Sequence, residues 1–423
     1  YYGLNQISQN LVIVNRTKMK TPSGFVLGSS GSGKSFATKR EILNVLLDDD
    51  KTNVLIIDPE NEYGDFCRAF GGTVLKISPT SDTYINPMDM PEDYGLDEDD
   101  DNATTPMKVK KDKALTKKSD YIMSIVERMI SVGSNENTTS ITPQQRTLVD
   151  QCVRAAYEEY LEHDFDPAYM PTLMDFQAEL DKRKEESKDN ADVADGVAYY
   201  TRGSMNVFSH PTNVHIENRL VVFNVRDLGQ ALRQIGLIIV FDFIWNRMVE
   251  NKGKKIRTYC YCDEIHTMFK SYYSADYLNQ LYKRGRKYGL VITGITQDVE
   301  DLLRSDKAKG MISNSDFIMM LNQSSENLKQ LAKMLNISET QMGFVTGADA
   351  GSGLLFAEKV IVPFVDRFPE DSYLYKLMST KFDEDLSKEE IQRQIAELME
   401  EHKTEAPLSE KKIERKLQQI YSA

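Results

Sequence analysis

Short apolar runs alternate along the chain with longer stretches in which apolar residues recur every three or four positions. Residues 11–14, 24–27, 54–57 and 74–77 have strand length and strand composition, and residues 34–47 have helical spacing. That order predicts βαβ units and hence a parallel sheet flanked by helices. The pattern then changes. Residues 120–132, 143–161 and 173–184 carry helix-spaced apolar positions with no convincing strand among them, which predicts an inserted all-α module. From residue 219 the alternation returns: strands at 220–225, 258–262, 290–295 and 317–321, a long helix at 230–249 and another at 277–288. Residues 354–356 and 360–365 read as a closing hairpin, and charged helices are expected at 388–401 and 409–421. Those helices are expected to pack back on the domain, with a partner surface as the other reading.

Charge marks the break between the halves. Seven of the eleven residues from 91 to 101 are acidic, and Lys108, Lys110, Lys111, Lys113, Lys117 and Lys118 follow, a block that reads as a solvated linker. Over all 423 residues, 52 basic against 65 acidic side chains leave −13, which argues against a surface wholly devoted to nucleic acid while leaving room for a local basic channel. The longest apolar runs, such as residues 237–241, fall far short of a bilayer span. Four cysteines are too few for a disulfide scaffold, so a reducing compartment is expected. Tyr1 in place of a start methionine reads as a piece of a longer protein, and no secretory leader is visible.

The most specific signal is Gly28-Ser29-Ser30-Gly31-Ser32-Gly33-Lys34-Ser35, a full match to GxxxxGK[ST], which a chain of this length shows by chance about once in fifty to a hundred. It follows the apolar strand Phe25-Val26-Leu27 and precedes a helix carrying Phe36, Ile42, Leu43 and Leu46, and residues from Gly28 to Phe36 are the candidate nucleotide-binding set. Glycines there let backbone N–H groups turn toward phosphate oxygens while the new helix points its positive end at them. Lys34 is the candidate for the β- and γ-phosphates of ATP, and the Ser35 hydroxyl for Mg²⁺. Residues 257–264 supply the second element, a β-prone run ending in Asp263 and Glu264: Asp263 for the Mg²⁺ shell, Glu264 to orient and deprotonate the attacking water. Gln297, past the strand at 290–295, is a candidate γ-phosphate sensor or water-positioning group, with an ordinary helix cap as the alternative. His266 is expected to satisfy a local hydrogen bond, and five scattered histidines make a metal cage an unattractive reading.

Asp58-Pro59-Glu60-Asn61-Glu62-Tyr63 after the second strand and Ile85-Asn86-Pro87 after the third add a discriminating pair. With the cradle and the acid pair, they make the chain resemble the HerA/FtsK division of RecA-like P-loop ATPases, and within it the VirB/TraC/TrbE-type ATPases of type IV secretion and conjugation. The resemblance runs from about residue 11 to residue 368. It implies a RecA-like α/β fold with a mostly parallel sheet, an inserted all-α subdomain and C-terminal helices. The apolar pattern and the charged break divide the chain into ATPase halves at 1–90 and 217–368, a charged linker at 91–118, the insert at 119–216 and C-terminal helices at 369–423. The resemblance covers the same layout. It further implies an ATP- and Mg²⁺-dependent motor, hexameric or otherwise oligomeric, cytoplasmic and peripheral to the inner membrane, docked on other subunits of a secretion channel and powering pilus assembly or transfer of DNA or protein. Lys34, Ser35, Asp263, Glu264 and Gln297 match family positions, as does Glu62, whose role is less defined.

Such ATPases also place arginines near the γ-phosphate, some from a neighbouring subunit. Arg284 and Arg286, in the cluster at residues 283–289, are the leading finger candidates, with Arg304 and Arg367 behind them; a solvated helix end is the plain alternative. Two other functions share the motifs. A DNA-translocating pump of the FtsK or HerA kind has the same engine with a different cargo, and a nucleotide-gated assembly scaffold has no need of Glu264. Direct nucleic-acid binding is left open.

Overall fold

The computed structural model describes residues 1–95, 105–131, 141–214, 216–270 and 272–380; the centre of the acidic run and the helices expected at 388–401 and 409–421 lie outside the described residues. The strands are β1 (Leu4–Asn5), β2 (Gly24–Leu27), β3 (Asn53–Asp58), β4 (Thr73–Lys76), β5 (Leu220–Asn224), β6 (Thr258–Cys262), β7 (Leu290–Thr296), β8 (Phe317–Leu321), β9 (Ser352–Ala357) and β10 (Val360–Val365). They form one sheet in the order β1-β10-β9-β8-β2-β7-β6-β3-β5-β4. From β8 to β4 every neighbouring pair is parallel, while the β9–β10 hairpin and β1 extend one edge antiparallel. The fold is therefore a RecA-like α/β architecture with its cradle strand, β2, inside the parallel section.

Alternation within each strand explains the two cores. In β3, Leu55 and Ile57 join one apolar cluster while Val54 and Ile56 join the other, on the opposite face of the sheet. The second core is covered by α1 (Lys34–Asp48) and α2 (Gly64–Ala69). The first carries the insert helices that follow β4, namely α3 (Met107–Ile130), α4 (Pro143–Ala156), α5 (Glu158–Glu162), α6 (Leu173–Arg183) and α7 (Lys188–Thr201), together with α8 (Gln230–Gly253). Residues 237–241 of α8 are buried all round between these neighbours, which accounts for their unbroken apolar run. Next come α9 (Tyr272–Arg284), α10 (Val299–Arg304), α11 (Asp306–Ser313), α12 (Ser325–Leu335), α13 (Glu339–Met342) and α14 (Tyr373–Met378).

Two expectations are corrected. Residues 11–14 form no strand: Leu11 makes a single bridge to Leu4 in β1, and Leu11 and Ile13 stay exposed on either side of buried Val12, so no second ladder forms. The lysine-rich part of the expected linker is the first half of α3. Lys118 is fully buried there, its Nζ 3.2 Å from the Pro87 carbonyl oxygen and 3.4 Å from Asp242 Oδ2, over the rings of Tyr94 and Tyr121. Counting charges had hidden an amphipathic helix, because a lysine stem and a paired head can enter a core. The Ile85-Asn86-Pro87 element meets the same region. Asn86 Nδ2 donates to the Pro171 carbonyl oxygen at 2.8 Å, and the Tyr160 hydroxyl donates to the Met90 carbonyl oxygen at 2.6 Å, so this segment ties the insert to the sheet.

Candidate functional site

The cradle grows directly out of β2. The Gly28 amide donates to the Thr296 carbonyl oxygen at the tip of β7 (3.3 Å), and the Ser29 amide to the Asn322 carbonyl oxygen past β8 (2.7 Å), so both flanking strands hold the loop. Gly31 and Gly33 adopt φ of +75° and +92°, which side-chain-bearing residues resist; the turn can reverse there and let Lys34 begin α1. The Gly351 amide donates to the Ser32 carbonyl oxygen at 3.0 Å, packing the loop before β9 against the cradle. The Ser32 hydroxyl and Lys34 Nζ both donate to the Ser29 carbonyl oxygen, at 2.7 and 3.0 Å. Ser30 and Gly31 are exposed, Ser35 and Phe36 half-buried in the first turn of α1.

Asp263 and Glu264 leave β6 at the same edge of the sheet. The Asp263 amide donates to the Ile57 carbonyl oxygen, and Asp263 Oδ1 accepts from the Glu264 amide at 3.0 Å. Glu264 sits at φ +44°, a conformation that costs a non-glycine residue about 1 kcal/mol or more and marks a site where strain is tolerated for a purpose. Its buried Oε2 makes no hydrogen bond, although His266 Nδ1 lies 3.1 Å away; that nitrogen pairs with Thr296 Oγ1 at 2.9 Å, the local bond expected of it.

Electrostatics ties these pieces into one cluster. Burial pushes the Asp263 carboxyl well above its ordinary range, and the nearby Glu62, Glu264 and Asp58 push it further. Burial lowers the Lys34 ammonium, opposed by Glu264, Asp263 and Glu62, so Lys34 and the acid pair share one field. Lys39, one turn further along α1, is brought down to about 8 by burial against the pull of Glu62 and Asp58; its Nζ lies over the Tyr63 ring and donates to the Met378 carbonyl oxygen. The Asp58 carboxylate accepts from the Glu62 and Tyr63 amides at 3.0 and 2.9 Å, across Asn61 at φ +61°. That turn aims Glu62 at the cluster, where its Oε2 is buried without a partner. Four carboxylates face two lysines. The deficit of positive charge, the unpaired oxygens and the raised Asp263 all suit a divalent cation, and Ser35 with Asp263 is the hard oxygen donor set that Mg²⁺ takes.

The remaining candidates divide. Gln297 is exposed immediately past Thr296, beside the cradle. Arg284 and Arg286 lie just before β7 begins, at the sheet edge opposite the cradle, both exposed and without an ion-pair partner among the described residues. They do not reach the nucleotide edge of their own chain. Arg304 is committed to Glu300 and Asp301, and Arg367 is exposed after β10. His266, Asp298 and Asp301 could gather around an ion, but Arg304 at 2.8 Å already occupies Asp301. Reading the sequence missed Lys39 and Gln323. Gln323 follows β8 by two residues, 5% exposed, with neither amide atom hydrogen-bonded. The signal that picked out Gln297, a polar amide past a strand's C-terminal end, applies equally to it.

A glycine-lined cradle, a buried lysine and an acid pair at one edge of a parallel sheet define a RecA-like P-loop nucleoside triphosphatase fold. The sequence matches the model of the TraG P-loop domain over residues 6–352, and the chain belongs to that family. Among solved structures it is similar to VirB4 of Thermoanaerobacter pseudethanolicus, with a TM-score of 0.72 and 21% identity over 88% of this chain and 97% of that one. It is also similar to the bacterial conjugative coupling protein TrwBdeltaN70 in complex with sulphate, with a TM-score of 0.50 and 15% identity over 85% of this chain and 90% of that one. At these identities the two structures speak for the fold. No curated protein matches the sequence. Among the described residues no helix is long and apolar enough to cross a membrane.

Proposed function

We propose that this chain is the ATP-hydrolysing motor domain of a type IV secretion or conjugation apparatus. One observation carries the reading: Lys34 under the cradle and the acid pair Asp263 and Glu264 sit in a single electrostatic cluster rather than on separate surfaces. Membership of the TraG P-loop family and the VirB4-like fold supply the setting.

The residues take complementary roles. Cradle amides from Gly28 to Ser35 and the N-terminus of α1 bind the phosphates, and Lys34 exchanges the Ser29 carbonyl oxygen for the β- and γ-phosphate oxygens. Ser35 and Asp263 would hold Mg²⁺, which would supply positive charge to offset that of the phosphates. Glu264 accepts the proton of the attacking water at its unpaired carboxylate oxygen. Gln297, exposed at the tip beside the cradle, orients that water, and Gln323 lends its unpaired amide from the other flank. Because Arg284 and Arg286 precede β7, at the end of the sheet opposite their own cradle, a finger role calls for a second copy of the chain, and the motor is proposed to be a homo-oligomer. In this reading it is cytoplasmic and peripheral to the inner membrane, and works on channel subunits to move DNA or protein. Lys34→Ala is expected to abolish phosphate release from ATP while leaving the fold intact by circular dichroism; undiminished release from the purified variant rejects the site.

A further inference from the structure

At the edge of the sheet opposite the cradle, a cavity of about 450 Å³ opens between the segment before β2, the end of α8 and the starts of β6 and β7. Its lining includes Lys18, Lys252, Lys255, Arg257, Arg286 and Lys287 and, among the described residues, not one carboxylate. This is unusual in a chain of net charge −13. Lys18, Lys255, Arg257 and Arg286 have no ion-pair partner among the described residues, whereas buried arginines elsewhere are matched, Arg16 with Glu41 and Arg40 with Asp366. Lys252 Nζ lies over the Tyr288 ring, 4.5 Å from its centre, and Tyr288 also packs on Trp245, so the aromatic floor is filled by protein and offers no face for a base to stack on. Lys252 also offsets the negative C-terminal end of α8. That leaves Lys18, Lys255, Arg257 and Arg286 as like charges gathered around a concavity with no ion-pair partner among the described residues, an arrangement stabilised by an anion carrying several charges.

We propose that this basal cavity is a second anion site, separate from the nucleotide cradle, that takes closely spaced phosphate groups. The volume is that of a small-ligand pocket. Cations from three separate segments converge on it, which suits a phosphate chain better than a single carboxylate. A free polyphosphate and the backbone of a single-stranded nucleic acid share this chemistry, and the test separates them.

The experiment measures binding by calorimetry with the cradle saturated by ADP and Mg²⁺, using inorganic tripolyphosphate as one probe and an oligothymidylate of about 12 nucleotides as the other. Lys18→Glu/Arg257→Glu is compared with the parent chain and with the charge-neutral Lys18→Gln/Arg257→Gln; both positions are exposed, so neither variant removes core packing. The parent is expected to bind tripolyphosphate at one site per chain beyond the cradle, weakened about a hundredfold by the double reversal and less by neutralisation. Tighter binding of the oligothymidylate, with the same loss, assigns the source to a nucleic-acid backbone. Absence of extra binding for both probes, or equal affinity in parent and variants, overturns the proposal. So does a collapse of ATP turnover in the assembled double variant, because the cations would then serve a neighbouring copy's nucleotide. ADP binding is read separately, so an empty cradle counts against the motor function and not against this site.

Discussion

Two buried charged clusters sit on opposite faces of the sheet and differ in one respect. Around Lys118 in the insert, the ammonium meets Asp242, the Pro87 carbonyl oxygen and two tyrosine rings, and the Tyr94 hydroxyl donates to the other Asp242 oxygen at 2.9 Å. Only the Tyr121 hydroxyl lacks a partner in this group. Around Lys34 and Lys39, four carboxylates crowd two ammoniums, Glu62 and Glu264 each carry a buried unpaired oxygen, and two residues are held at positive φ. The first cluster is complete and holds the insert in place. The second leaves carboxylate oxygens unpaired, which suits the cation and phosphates proposed for it.

The contrast is sharpest when each cluster is broken alone. Glu264→Gln should lower turnover by about a thousandfold with ATP still bound and the unfolding midpoint unmoved, read by phosphate release and denaturant titration. Lys118→Met should do the reverse: it strands Asp242 and destabilises the fold by about 3 kcal/mol, while turnover per folded molecule is unchanged. If both variants lose stability alike and activity alike, the distinction between the clusters fails.

A pH-dependent effect of opposite sign comes from Lys39. Its folded pKa of about 8 lies below the unfolded value of 10.5, so the unfolded chain holds more protons between those two pH values. Stability contributed by this group should therefore rise with pH across that window, by about 3 kcal/mol at most. Lys39→Met should remove the slope, checked by denaturant unfolding from pH 7.5 upward, on the order of the window just given. The mildest test concerns Arg284 and Arg286. Specific ATPase activity should climb as dilute chains assemble, and Arg284→Ala/Arg286→Ala should flatten that climb; constant activity from monomer to oligomer excludes a finger supplied in trans.

Much of this was legible before any coordinates. The strands from β2 onward, the cradle and the acid pair follow from apolar runs and from one eight-residue string, because hydrogen-bonded backbone geometry leaves few residue types free there. What escaped depends on pairing across the chain. Lys118 looked solvated because its partner Asp242 lies 124 residues away, and Lys39 looked like any helix lysine because Asp58 ends β3 and Glu62 lies in the turn after it. The opposite-edge placement of Arg284 and Arg286 follows only from where α9 ends relative to the parallel strands. Gln323 was hidden by stopping at the end of β8, one residue short of the turn that carries it.

The central claim is that Ser35 and Asp263 share one metal-bound triphosphate. Manganese can replace magnesium and be followed by electron paramagnetic resonance in Glu264→Gln bound to ATP. One tightly bound Mn²⁺ per chain, with phosphorus coupling that disappears when Asp263→Asn or Ser35→Ala is added, is the predicted result. A full complement of phosphorus-coupled Mn²⁺ in both added variants would contradict the account.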